Sequence, residues 1–253
     1  MADSGEMSFW DHLDELRGNI IRSLVAVCAF SVLVFCFKSL VFDGLLLAPA
    51  RSDFFMYRLM RSDFSMQLVN LEVSAQFFIH MRVSVVLGFV LSFPYIVYEI
   101  WKFIAPALYE REKKAIRGAF LFSGFLFYIG IAVGYVLVLP FALNFFQSYS
   151  VSDVVTNSIS LKSYVSMFMS LVLMFGIVFE FPAVIAALSH MGVVTRNDLR
   201  AGRKYAFVAV LVLAAIITPS DPLSMVIAAA PLYLLYEVSI IVCSKESVKN
   251  DID

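Results

Sequence analysis

YVSMFMSLVLMFGIVFEFPAVIAALSHM, residues Tyr164–Met191, is the stretch that decides the fold. A hydrocarbon core ~30 Å thick is crossed by about 20 mostly apolar residues rising 1.5 Å each. This run is long enough, and the one acid within it, Glu180, lies deep inside. Working outward, comparable runs occupy Asn19–Phe37, Ala75–Tyr98 and Ile116–Leu139. After Lys204 the apolar stretch divides at Thr218-Pro219-Ser220-Asp221-Pro222, where two prolines flanking an aspartate suit a turn and not a helix interior. Spans at Tyr205–Thr218 and Leu223–Cys243 follow. The sequence predicts an all-α integral membrane protein, a single domain over 1–253 with six transmembrane helices. The fifth would cover only ~21 Å, so it needs thinned lipid, little tilt or help from neighbours.

Composition agrees. Of 253 residues 61% are hydrophobic and 15% charged, against roughly 45–50% and 25% in a soluble domain. Mean hydropathy is +0.86, more apolar surface than one soluble core of this size hides. A formal net charge of −1 excludes a nucleic-acid binder, and the composition excludes a disordered chain, a fibrous repeat and a disulfide scaffold. Cys28, Cys36 and Cys243 lie in apolar runs without ligand spacing and are expected to pack in lipid. The start of the chain is acidic, has no basic region before its first apolar run, and does not resemble a cleaved signal peptide.

An even number of spans puts both termini on one side, and thirteen of the 19 basic residues fall there, concentrated in the short loops Lys102–Arg117 and Arg196–Lys204. Both termini are therefore expected in the cytoplasm. The outer segments, residues 38–74 and 140–163, are too long for mere turns, and the first carries Phe54, Phe55, Tyr57 and Phe64 among charges; structured outer loops capping the bundle are expected.

Polar groups in lipid are expensive. An acid at a helix centre costs about 2.5–3.5 kcal/mol on insertion scales, so Glu180 needs a partner, a cavity or a proton. Pro182 beside it should bend the helix. Glu180 is either a neighbour-bonded structural acid or a site for a polar partner helix or a proton. Glu99 and Glu237, near the inner ends of their helices, are expected to reach the interface, and Asp221 to cap the last helix. On the cytoplasmic rim, Phe9, Leu13, Leu16 and Ile20 mark an amphipathic interfacial helix over Phe9–Arg17, leading into the first span and offering Asp11, His12, Asp14 and Glu15. Glu110 and Glu112 follow the second span. Such carboxylates suit arginine, whose planar fork gives one carboxylate two parallel hydrogen bonds, or they are a solvated face favouring the helix dipole. His12, His80 and His190 are scattered, with His80 and His190 expected as satisfied interface residues, and no catalytic constellation, metal site or cofactor motif appears.

A set of motifs, in order, covers nearly the whole chain: His12-Leu13-Asp14-Glu15-Leu16-Arg17; Ala48-Pro49; Phe93-Pro94; Tyr98-Glu99-Ile100-Trp101-Lys102-Phe103-Ile104-Ala105-Pro106-Ala107-Leu108-Tyr109; Glu112; Phe127-Tyr128; Phe175-Gly176 with Phe179-Glu180-Phe181-Pro182; Arg203-Lys204-Tyr205; and Thr218-Pro219-Ser220-Asp221. Together they resemble the TatC family, the multispanning subunit of the twin-arginine protein translocase. The resemblance implies a receptor for signal peptides with paired arginines, in the cell inner membrane or an organellar one. It implies TatA-like and TatB-like single-span partners, a homo-oligomer within a receptor complex, and export of folded proteins on the proton motive force. By position, Glu15 and Glu112 would hold the arginines, with Leu16, Arg17, Trp101 and Phe103 shaping the site. Glu180, Pro182 and Asp221 would meet a partner's membrane helix, and Pro49 would position the outer cap. Thr-Pro-Ser-Asp departs from the family's common Thr-Pro-Pro-Asp, which loosens the turn at Asp221, and Lys113-Lys114 stands where arginines are frequent. The residues alone leave two other readings: a proton-coupled secondary transporter using Glu180, Glu99 and Glu237 as a relay, and a non-catalytic assembly scaffold.

Overall fold

The computed structural model describes residues 9–60, 64, 66–105, 110–150, 152, 158–218 and 222–243. Its helices are α1 (Phe9–Cys36), α2 (Phe55–Met60), α3 (Ala75–Ile104), α4 (Glu110–Val133), α5 (Leu139–Ser148), α6 (Leu161–Phe179), α7 (Phe181–His190), α8 (Arg196–Ala201), α9 (Arg203–Ile217) and α10 (Pro222–Val242). Among the described residues five helical stretches are long and apolar enough to cross a membrane: His12–Cys36, Ala75–Ile104, Phe122–Ser148, Leu161–His190 and Pro222–Val242. The sixth expected span, α9, has 15 residues, or ~22 Å of helix, and packs along α10.

Three boundaries differ from the sequence reading. The expected interfacial helix over Phe9–Arg17 is continuous with the first span, because no proline interrupts it and a single Gly18 is tolerated inside a helix of 28 residues. The second span runs on past Tyr98 to Ile104. The third is shifted toward the C-terminus: α4 passes through a wider turn at Gly134–Val138 into α5, and its apolar part covers Phe122–Ser148 in place of Ile116–Leu139. Pro140 ends no helix because it sits in the first turn of α5, where a missing N–H costs nothing.

The core lies between α4, α6 and α10. Phe127, Val138, Leu139, Ala142, Leu171, Phe175 and Ala228 are fully buried. Gly130 lets α4 close on α6: a Cβ there would stand 2.5 Å from the Phe175 carbonyl oxygen. α1 packs on α3, where Gly88 makes room for Ser31, and leaves Leu24, Val25 and Val32 exposed, as a helix facing lipid does. Pro94 in the middle of α3 has no N–H for the Val90 carbonyl, and the Tyr128 hydroxyl donates to that oxygen instead, at 3.0 Å.

The segment between α1 and α3 is folded. A wide turn at Leu40–Leu46 and a tight one at Ala48–Ala50 bury Leu46, Pro49 and Ala50. Three tyrosine hydroxyls hold it: Tyr57 donates to the Pro49 carbonyl (2.7 Å), Tyr164 of α6 to Leu46 (2.6 Å) and Tyr135 to Leu45 (2.9 Å). Two short elements among the described residues are strands. β1 (Leu68–Val69) pairs in parallel with β2 (Ile159–Ser160), Leu68 opposite Ile159, and ties the segment before α3 to the one before α6.

Candidate functional site

The rim is built on one stripe of α1. His12, Glu15, Asn19 and Arg22 recur at spacings of three and four, so they lie along one helix face. That face meets the last turns of α3. The His12 ring stacks on Phe103 with centroids 4.3 Å apart, and Arg22 Nε donates to Glu99 Oε2 at 3.1 Å. Arg22 also donates to the Asn19 side chain, and Asn19 is buried. Glu15 lies between these two contacts, half-buried, as is Leu16, whereas Arg17 points to solvent. Trp101, half-buried, packs its ring 5.4 Å from Phe120 of α4 and lines a cleft of about 180 Å³ with Pro94, Val97, Tyr98 and Arg117.

Sequence reading missed the Arg22–Glu99 pair. Glu99 does not reach the interface: its side chain is only 4% exposed, held by Arg22 and by a hydrogen bond with Tyr95 one turn earlier. An arginine and a glutamate on adjacent spans, each near an inner end, were the available clue. Glu237 behaves as expected of a rim group, half-exposed and paired with Arg203 at 2.8 Å. Glu112 stands in the first turn of α4, its side chain outside the described residues, as are Pro106–Tyr109.

Glu180 falls where the fourth span breaks. α6 stops at Phe179 and α7 starts at Phe181 because Pro182 cannot donate within the ladder; the turn is closed by the Glu180 N–H donating to Ile177 O at 3.1 Å. Ser123 of α4 donates to one Glu180 oxygen, and the other is buried with no partner among the described residues. Pro182 is buried at the start of α7. Asp221 lies outside the described residues, and Pro49 is buried under the Tyr57 hydroxyl. The three carboxylates of the relay reading sit on separate helix pairs, α1/α3, α4/α6 and α9/α10, each with its own partner. His80 is held by rings and not by the hydrogen bonds expected of it: it stacks on Phe35 at 4.1 Å with Phe42 edge-on, and its Nε2 has no partner among the described residues. Cys28 and Cys36 are exposed on α1, and Cys243 is buried against Ser189. Among the described residues no group of His, Cys, Asp and Glu could hold a metal ion.

Residues 11–231 match the profile of the family described as Sec-independent protein translocase protein (TatC). The chain belongs to the TatC family. Its similarity to curated TatC proteins extends over whole chains: 36% identity to that of Blattabacterium from Periplaneta americana, covering 98% of this chain and 99% of the relative. It is 37% identical to the TatC of Aquifex aeolicus (92% and 93% covered) and 31% to that of Escherichia coli K12 (90% and 85%). Among solved structures it is similar to a crystal structure of the twin arginine translocase receptor TatC in DDM, with a TM-score of 0.77 and 36% identity over 92% of this chain and 99% of that one. This TatC-family chain is thus a multi-pass membrane protein and a component of a Sec-independent protein translocase, a transport protein and not a classical enzyme.

Proposed function

We propose that this chain is the signal-peptide receptor of a twin-arginine translocase, with Glu15 and Glu112 as the carboxylates that take the paired arginines. The observation that carries the reading is the His12–Phe103 stack, which sets the Glu15 stripe of α1 against the end of α3. A half-buried carboxylate beside aromatic rings suits a guanidinium, which gains two parallel hydrogen bonds and a π face where an ammonium gains a point contact. Leu16, Arg17, Trp101 and Phe103 shape the walls of that site. α9 completes six spans in a single membrane domain, both termini lie in the cytoplasm of a cell with this protein in its inner membrane, and the outer segments cap the bundle around Pro49. Glu180, with one oxygen on Ser123 and one unspent, and Asp221 with Pro182 offer polar contacts to the membrane helices of TatA-like and TatB-like single-span partners, in a receptor complex holding more than one copy. Export of folded precursors then draws on the proton motive force. No cofactor takes part.

Glu15→Ala and Glu112→Ala test the reading, with a fluorescent twin-arginine peptide titrated against the purified protein. Each loses a charge-assisted pair and weakens binding by at least about tenfold. Unchanged affinity in both variants would contradict it.

A further inference from the structure

At the opposite end of the α1/α3 pair from Glu15 lies a cavity of about 760 Å³, walled by the end of α1, the Leu40–Leu46 turn and the first turns of α3. Its polar groups are Lys38, Ser39, Asp43 and Gln76, all exposed, and the half-buried His80, whose ring stacks on Phe35. Lys38 and Asp43 carry opposite charges, yet among the described residues neither forms an ion pair, with the other or with anything else. The apolar part of the wall includes Phe37 and Phe77, both more than half exposed. Height fixes the surroundings: the apolar stretch of α1 ends at Cys36 and that of α3 begins at Ala75. These polar groups therefore stand where hydrocarbon gives way to headgroups, with the phenylalanines facing acyl chains.

We propose that this cavity binds a phospholipid whose headgroup carries both a phosphate and a primary ammonium, the chemistry of phosphatidylethanolamine. The Lys38 ammonium takes the phosphate, the Asp43 carboxylate takes the lipid ammonium, and the Gln76 amide serves either. Phosphatidylglycerol supplies the phosphate and leaves Asp43 without a cation. Phosphatidylcholine supplies both charges, but its quaternary nitrogen has no N–H to donate to Asp43, and a charge-assisted hydrogen bond is lost. The exposed apolar rings hold the chains, so a lipid is retained where a free headgroup is not.

The test is native mass spectrometry of the full chain in detergent with equimolar dioleoyl phosphatidylethanolamine, phosphatidylcholine and phosphatidylglycerol, and separately with phosphoethanolamine. The ethanolamine lipid is retained about fivefold over the other two, and phosphoethanolamine is not retained. Asp43→Asn removes the margin over phosphatidylcholine, and Lys38→Gln lowers retention of both zwitterionic lipids. Equal retention of all three lipids by the unaltered chain overturns the proposal without any variant. So does a margin that survives Asp43→Asn, binding of phosphoethanolamine as tight as the lipid, or a dimer whose second copy fills the cavity and excludes lipid. Cys36, an exposed thiol in the wall, gives an independent reading in a Cys28→Ser background: alkylation is slower in ethanolamine vesicles than in choline vesicles, and equal rates overturn the proposal.

Discussion

Replacing Arg22 by methionine should destabilise the protein more than replacing its partner Glu99, and replacing both should cost almost nothing. The asymmetry follows from exposure. The Glu99 side chain is 4% exposed and that of Arg22 is 43%. Without Arg22 a buried carboxylate loses its paired cation and keeps the Tyr95 hydrogen bond and the weaker influence of the Lys102 charge. Breaking a buried pair costs about 3–5 kcal/mol, and with one partner half-exposed the lower figure of about 2–3 kcal/mol applies. Without Glu99 the arginine stem stays on α1 and its head swings to the nearby membrane interface, at a cost of about 1 kcal/mol. Methionine at both positions fills similar volume with no stranded charge, so the double variant should lie within about 1 kcal/mol of the parent. The coupling is then about 2 kcal/mol. Thermal unfolding in detergent, followed by intrinsic fluorescence, would read Arg22→Met as a fall in Tm of roughly 4–12 °C, taking 2–4 °C per kcal/mol. A larger fall for Glu99→Met, or two additive single effects, would refute the reasoning.

Further outcomes follow from packing and capping. Phe175→Ala opens a cavity at a fully buried position and should cost about 3–5 kcal/mol, measured in the same unfolding assay. Gly88→Ala should part α1 from α3 and weaken a disulfide or chemical crosslink engineered between them, because its Cβ would collide with Ser31 Oγ. Adding Ser31→Ala should rescue little, since the Ser31 backbone N and Cα stand at 2.7 and 2.8 Å. At the start of α8 the Thr195 hydroxyl and N–H both donate to Asp198, at 2.7 and 3.0 Å, and hold its carboxyl below the usual range. A depressed pKa stabilises the folded form above the unfolded value of about 3.9 and loses that contribution as pH falls through the folded one. Amide protection factors over residues 196–201, taken relative to intrinsic exchange at each pH, should therefore fall below about pH 4, and Asp198→Asn should flatten that dependence.

What could be read from the sequence is what depends on local chemistry. Five of the spans stand out because hydrocarbon demands length and apolarity, and both are written along the chain. The break at Glu180-Phe181-Pro182 was legible because proline acts through its own missing N–H. The shortness of α9 was equally plain, fixed by Arg203 and Lys204 at one end and Pro219 at the other. What failed to show depends on residues far apart. The seam that buries Glu99 needs Arg22, 77 positions away. The segment between α1 and α3 is held by tyrosine hydroxyls reaching backbone carbonyls, and Tyr164 to Leu46 spans 118 positions. The tyrosine contacts have no sequence signature, because any carbonyl accepts, and the Arg22–Glu99 pair leaves only the clue of opposite charges on adjacent spans. The third span was misplaced because the charged first turns of α4 hide how far the apolar stretch runs through Gly134–Val138 into α5. At the site, only the family resemblance grouped Glu15 with Phe103; their spacing in the sequence does not, and the stacking of His12 on Phe103 is the contact that brings their two helices together.

The most direct test of the central claim is site-specific crosslinking from probes at Glu15 and Glu112, in the purified protein, to a signal peptide bearing Arg-Arg and to the same peptide bearing Lys-Lys. A receptor whose half-buried carboxylate reads the planar guanidinium crosslinks the Arg-Arg peptide at both positions and the Lys-Lys peptide at least about tenfold less. Equal labelling of the two peptides, or labelling at neither position, would contradict it and return the rim carboxylates to a solvated helix face.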